Sequence, residues 1–272
     1  MANVDSGGVR IDYDVHGPED GRVVLLLHGF PDDRSLWRHQ VGPLVDAGFR
    51  VVVPDQRGYG RSDKPAEVDA YNLLFLAGDA LAVLDDVGAT TASVVGHDWG
   101  APVAWSLASM ASERVDRLVA LSVGHPTVMS DPGWEQRRWS WYMLLFQFED
   151  VAERWMTDDG GARFLDWSSH PEGAEVVDRL VATGSLTPAL NWYRANVHPR
   201  SMLEPPPALP PVQAPTTGVW SSDDMALTEQ QMVRSGEHCA NGFRYERFDG
   251  IGHWIPLEAP ERLNALLLDV LA

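Results

Sequence analysis

This 272-residue chain has one cysteine, Cys239, so no intrachain disulfide can form and the fold must rest on its core. That content suits a reducing cytoplasm, and with no motif around it Cys239 reads as a buried or inert thiol. Basic residues are scarce. Lys and Arg number 21 against 39 Asp and Glu, a formal charge of −18, and such a surface repels nucleic acid and anionic membranes. Long apolar runs are missing too: Val23 to Leu27 is far too short to cross a bilayer. The first ten residues have neither a basic start nor an apolar centre, so we expect no signal peptide. There is no repeat at solenoid periods, no G-x-G-x-x-G and no phosphate loop, so a nucleotide cofactor is not expected. His16, His39, His97, His125, His170, His198 and His238 show no close metal-ligand spacing, so no metal is expected either.

What is present is a strand–helix alternation. Val9 to Val15 alternates like an edge strand. Val23–Leu27, Phe49–Val53, Ser93–Val95 and Leu118–Val123 are short apolar runs with polar or glycine ends, as parallel strands covered on both faces require. Asn72 to Val87 has helical spacing and stops at Gly88, and Ala101 to Met110 is an Ala-rich helix. From about Ser130 to Glu204 strand-like runs vanish and aromatics crowd in: Trp134, Trp139, Trp141, Trp155, Trp167 and Trp192 are six of the eleven tryptophans. We read most of them as packing and the group as lining an apolar cavity. Pro205-Pro206-Pro207 and Pro210-Pro211 form a stiff connector. Strands resume at Thr216–Trp220 and Phe243–Phe248, and a helix closes the chain at Pro260–Leu271. The expected architecture is a doubly wound, mostly parallel α/β sheet in two parts, 1–129 and 206–272, interrupted by a helical lid at 130–205.

Chemistry gathers at strand ends. Gly96-His97-Asp98-Trp99-Gly100 joins a strand to a helix, and small neighbours suit a sharp elbow whose central residue is backbone-strained. The bland reading of Asp98 is a helix cap; His97 reads as elbow packing and most other histidines as surface or loop residues. His28-Gly29-Phe30-Pro31 follows an earlier strand. In an elbow architecture the backbone N–H groups of Phe30 and Trp99 would form an oxyanion hole. Asp223 and Asp224 follow a late strand and His253 the last one, in the order of an α/β-hydrolase triad. We favour Asp224 as the partner of His253, with Asp223 the fallback and Asp131 a remote third.

These segments, with Asp55-Gln56-Arg57-Gly58-Tyr59-Gly60-Arg61-Ser62-Asp63-Lys64-Pro65, resemble the α/β-hydrolase epoxide hydrolases across nearly the whole chain. Haloalkane and fluoroacetate dehalogenases share the same motifs. The resemblance implies an α/β-hydrolase fold with an inserted lid and a small apolar epoxide as substrate. The contexts of Tyr142 (in Trp141-Tyr142-Met143) and Tyr193 (in Trp192-Tyr193-Arg194) resemble the lid segments that hold the ring-opening tyrosine pair of that family. Arg57, Asp55 and Asp63 read as strand-end salt bridges and turn chemistry.

An aspartate nucleophile narrows the reaction. Attack on an ester carbonyl gives an uphill anhydride, whereas attack on a saturated carbon gives a stable alkyl ester that His253 and water can cleave. An epoxide leaves as a basic alkoxide and needs donors such as phenols, while a halide needs only a cradle of N–H groups. Trp99 stands where dehalogenases place one halide donor, but Phe30 replaces the asparagine that often supplies the other, and fluoroacetate dehalogenases put arginine where Trp99 is. The alternatives are therefore a dehalogenase, a serine-type esterase with Asp98 in the serine's place, and a non-catalytic small-molecule binder. The sequence does not choose between a monomer and a homodimer.

Overall fold

Alternate residues of the central strands feed two separate cores. Leu25, Leu27, Val52 and Val94 join one apolar cluster, while Val24, Leu26, Val51 and Val95 join another. A pleated strand sends successive side chains to opposite faces, so a strand with no polar face must be covered on both sides. The computed structural model describes residues 2–203 and 208–272. Its strands are β1 (Ala2–Ser6), β2 (Val9–His16), β3 (Val23–Leu27), β4 (Arg50–Pro54), β5 (Ala92–His97), β6 (Val115–Leu121), β7 (Thr216–Ser221) and β8 (Phe243–Phe248). They form one sheet in the order β1-β2-β4-β3-β5-β6-β7-β8. The β1–β2 and β2–β4 pairings are antiparallel and the rest parallel.

The helices are α1 (Arg38–Asp46), α2 (Leu73–Asp86), α3 (Gly100–Met110), α4 (Pro126–Ser130), α5 (Gly133–Trp139), α6 (Trp141–Leu145), α7 (Val151–Thr157), α8 (Ala162–Ser168), α9 (Gly173–Ala182), α10 (Leu186–Asn196), α11 (Glu229–Ser235), α12 (Ile255–Glu258) and α13 (Pro260–Leu271). α2 and α3 bury Val83, Leu84 and Trp105 in the first cluster; α1 and α13 bury Leu44, Leu263 and Leu267 in the second.

Two details differ from the sequence reading. The edge strand is β1, not Val9–Val15: β2 lies between β1 and β4, and Val4 pairs with Ile11. With Asn3 and Asp5 exposed, β1 carries too little apolar residue to announce itself. β6 ends at Leu121 rather than Val123, because Ser122 turns the chain with a φ of 68°. His125 and His170 stand in loops, and both are buried. His125 accepts from the Thr127 N–H at the start of α4, and His170 makes a contact taken up below.

Between β6 and β7 the described chain is helical. α4 stays with the sheet: the backbone N–H groups of Gly124 and His125 donate to Gln231 and Ser235 of α11 at 2.5 and 2.7 Å. α6 to α10 lie over the carboxyl ends of the strands and are tied down along two seams. In the first, Trp192 Nε1 of α10 donates to the Arg57 carbonyl at 3.0 Å, and Asn196 donates to the Tyr71 carbonyl at 2.8 Å. In the second, Trp254 Nε1 donates to the Ser168 carbonyl at 2.9 Å. The expected Pro205-Pro206-Pro207 connector, and with it the 205/206 boundary, lies outside the described residues.

Candidate active site

Asp98 follows β5 and has a φ of 49°, a left-handed conformation rare for a residue with a side chain. Its neighbours make that turn possible. A Cβ on Gly96 would strike the Gly100 carbonyl, and a Cβ on Gly100 would strike the Leu27 carbonyl, so strand, turn and helix approach closely only because both positions are glycine. α3 has no side-chain cap at its start. The Asp98 carboxylate points away from the helix, and the Phe30 N–H donates to its Oδ1 at 2.7 Å. Gly29 is pressed against the same carboxylate and the Trp99 nitrogen, with no room for a Cβ.

His253 arrives on the loop after β8. Its Nδ1 lies 2.8 Å from Asp224 Oδ2, and its Nε2 lies 3.5 Å from Asp98 Oδ2. The other Asp224 oxygen accepts the N–H groups of Ala226 and Leu227 at 2.8 and 2.9 Å, which fixes the carboxylate before it meets the ring. Asp223 is exposed and bonds Ser222 instead. Asp131 is exposed and pairs with Arg137. Burial opposes a charge on His253, but Asp224 and then Asp98 outweigh it and raise its pKa to about 10. His97 lies beneath, its Nε2 2.9 Å from the His253 carbonyl. There it fixes the backbone of the other histidine, a role beyond elbow packing that its place in the sequence did not signal.

Above Asp98 sits an aromatic roof. Tyr193 stands edge-on to Phe30 and Trp99, with centroids at 5.3 and 5.1 Å, and 6.0 Å from Tyr142. Trp167 packs against Tyr142 at 4.6 Å. Both tyrosines are buried. Burial, followed by the charge of Asp98, pushes both phenols well above their ordinary pKa, so at neutral pH they remain neutral donors.

The Asp55–Asp63 run builds scaffolding. Asp55 pairs with Arg34 at 2.6 Å and accepts the Arg61 N–H at 2.9 Å. Arg57 makes a buried pair with Asp79 at 2.6 Å, and Asp63 pairs with Arg10 at 3.5 Å. Among the described residues no group of three or more His, Cys, Asp or Glu could hold a metal ion, and no helix is long and apolar enough to cross a membrane.

Comparison with known proteins places this geometry among relatives. The alpha/beta hydrolase fold model matches residues 22–260. The AB hydrolase superfamily protein YfhM of Bacillus subtilis is 35% identical over 98% of this chain and 96% of its own length. Epoxide hydrolase A of Mycobacterium tuberculosis is 33% identical over 98% of this chain and 96% of its own length. Among solved structures, one described as a novel epoxide hydrolase of the alpha/beta hydrolases superfamily, from metagenomes of hot environments, aligns with a TM-score of 0.88. It is 30% identical and covers 100% of this chain and 98% of its own.

Proposed function

The chain belongs to the epoxide hydrolase family of α/β-hydrolases, and from that premise we propose that it opens an epoxide to a vicinal diol through an alkyl ester on Asp98. The observation that carries this reading is the pair of buried phenols, Tyr142 and Tyr193, facing an aspartate at the elbow.

In this reading α5 to α10 act as a lid over a cofactor-free site. Because the Phe30 N–H holds Oδ1, Oδ2 is the oxygen that attacks a ring carbon. The carbon–oxygen bond breaks, and a phenol of Tyr142 or Tyr193 gives its proton to the departing oxygen. Oδ1 becomes the ester carbonyl oxygen, held by the Phe30 N–H, and the Trp99 N–H serves as the second donor of the oxyanion hole. His253, oriented by Asp224, then takes a proton from water, and the hydroxide attacks Cγ of Asp98. The tetrahedral intermediate collapses, the diol oxygen takes the proton from His253, and the proton left on the Asp98 carboxyl passes to His253, which restores both the carboxylate and the resting imidazolium. The proton the phenol gave up is replaced by the one the resting imidazolium carries, which leaves His253 neutral in time to act as base.

The dehalogenase alternative uses the same aspartate. It is disfavoured because Phe30 has no side-chain donor to complete a halide cradle with the Trp99 indole N–H. The test is a panel of styrene-oxide-like, terpene and fatty-acid epoxides run beside bromoalkanes, with diol and halide measured separately. Diol without halide is expected. Halide release that exceeds diol formation overturns the reading, as does tight binding of epoxides without turnover.

A further inference from the structure

One buried hydrogen-bonded pair, Asp32 and His170, touches this site without entering the mechanism. Asp32 lies two residues past Phe30 and is 2% exposed. Its Oδ2 is 3.1 Å from His170 Nε2, on the loop joining α8 to α9. The Glu172 N–H donates to His170 Nδ1 at 2.9 Å, so that nitrogen carries a lone pair and the proton sits on Nε2, aimed at Asp32. Arg179 of α9 lies 3.6 Å from Asp32 and 2.8 Å from Asp33. The other face of the His170 ring lies 4.2 Å from Trp254, which stands edge-on to His253 at 4.7 Å. Trp254 is in turn bound to the Ser168 carbonyl.

One short stretch of the lid thus grips two core loops: the one that presents the Phe30 N–H and the one that presents His253. A buried hydrogen-bonded pair gives the core little that an apolar pair of the same shape would not, whereas a directional bond between lid and loop fixes orientation. Resting on the epoxide hydrolase reading above, we infer that His170 is a positioning residue for the second half-reaction. It holds the oxyanion donor and the base in register, and both are needed more for hydrolysis of the ester than for its formation.

The test separates the two half-reactions. With enzyme in excess over an epoxide that is turned over, quenched samples are weighed as intact protein to give the rates at which the ester forms and decays. His170→Phe keeps a ring on Trp254 but offers Asp32 no N–H; His170→Gln keeps a donor. In His170→Phe, ester formation is expected to stay near wild type while decay slows about ten-fold, a fraction of what loss of one oxyanion donor costs. His170→Gln is expected to restore most of the decay rate. Stranding the Asp32 charge can unfold the single variant, so the double variant Asp32→Asn, His170→Phe is run beside it, and slow decay is expected there too. Equal slowing of both steps, unchanged decay, or no rescue by glutamine overturns the positioning role. A wild-type enzyme that makes diol without ever forming the ester overturns the underlying reading instead.

Discussion

His253 Nε2 stands 3.5 Å from Asp98 Oδ2, too far for a strong hydrogen bond. The attacking oxygen is therefore not tied up by the base. The two half-reactions separate, and His253→Gln is expected to form the ester but cleave it slowly. Intact mass after mixing with a turned-over epoxide should show the enzyme heavier by one substrate. An unmodified mass with every such epoxide contradicts this.

The phenols should matter in the opposite half-reaction. General acid assistance contributes about 10²- to 10⁴-fold, so Tyr142→Phe, Tyr193→Phe is expected to slow ester formation by that order. Each single variant should lose less, since the other phenol remains. Burst measurements of ester formation check this. A double variant that still forms the ester at the wild-type rate removes the tyrosines from the mechanism.

The pH dependence has a definite sign. The carboxylates of Asp224 and Asp98 raise the His253 pKa to about 10 in the free enzyme, and esterification of Asp98 removes one of those charges. In the ester the pKa must fall below the free-enzyme value. A protonated ring cannot accept the water's proton, so ester decay is expected to slow as pH drops through that lower pKa. Ester formation does not use a neutral His253 and should not share this titration. Following both steps by quenched mass from pH 5 to 9, on the order of two units either side of neutrality, tests the split. Decay that is flat across this range rules out a histidine base.

Glycine at position 100 is required by backbone, not by a movable side chain: an added Cβ meets the Leu27 and His28 carbonyls. Gly100→Ala is expected to cost on the order of 3 kcal/mol, the upper end of overpacking effects. Denaturant unfolding measures it, and a loss under about 0.5 kcal/mol, typical of a surface site, contradicts the close approach.

How much of this was written in the chain varies with the range of the contact. The parallel strands were legible because β3 is apolar throughout and β5 nearly so, and each runs into a Gly-His or His-Gly step at a turn. The elbow was legible because Gly96 and Gly100 bracket Asp98 within five residues. Asp224 was separable from Asp223 only in three dimensions, where one carboxylate is buried on His253 and its neighbour is exposed. β1 was missed because its alternation rests on Ala2 and Val4 alone. His170 and Asp32 are 138 positions apart, and no local spacing joins them; their pairing follows from how the helical segment folds back onto the strand ends. His97, adjacent to Asp98, gave no sign that its ring reaches the His253 carbonyl.

Whether Asp98 bonds to carbon is decided most directly by a single turnover of epoxide in ¹⁸O-water with enzyme in excess, followed by mass analysis of the peptide spanning Asp98 and of the diol. Attack by the carboxylate places the heavy oxygen in the Asp98 side chain and leaves the diol unlabelled. Heavy oxygen found only in the diol means that water opened the ring itself, and the covalent account fails.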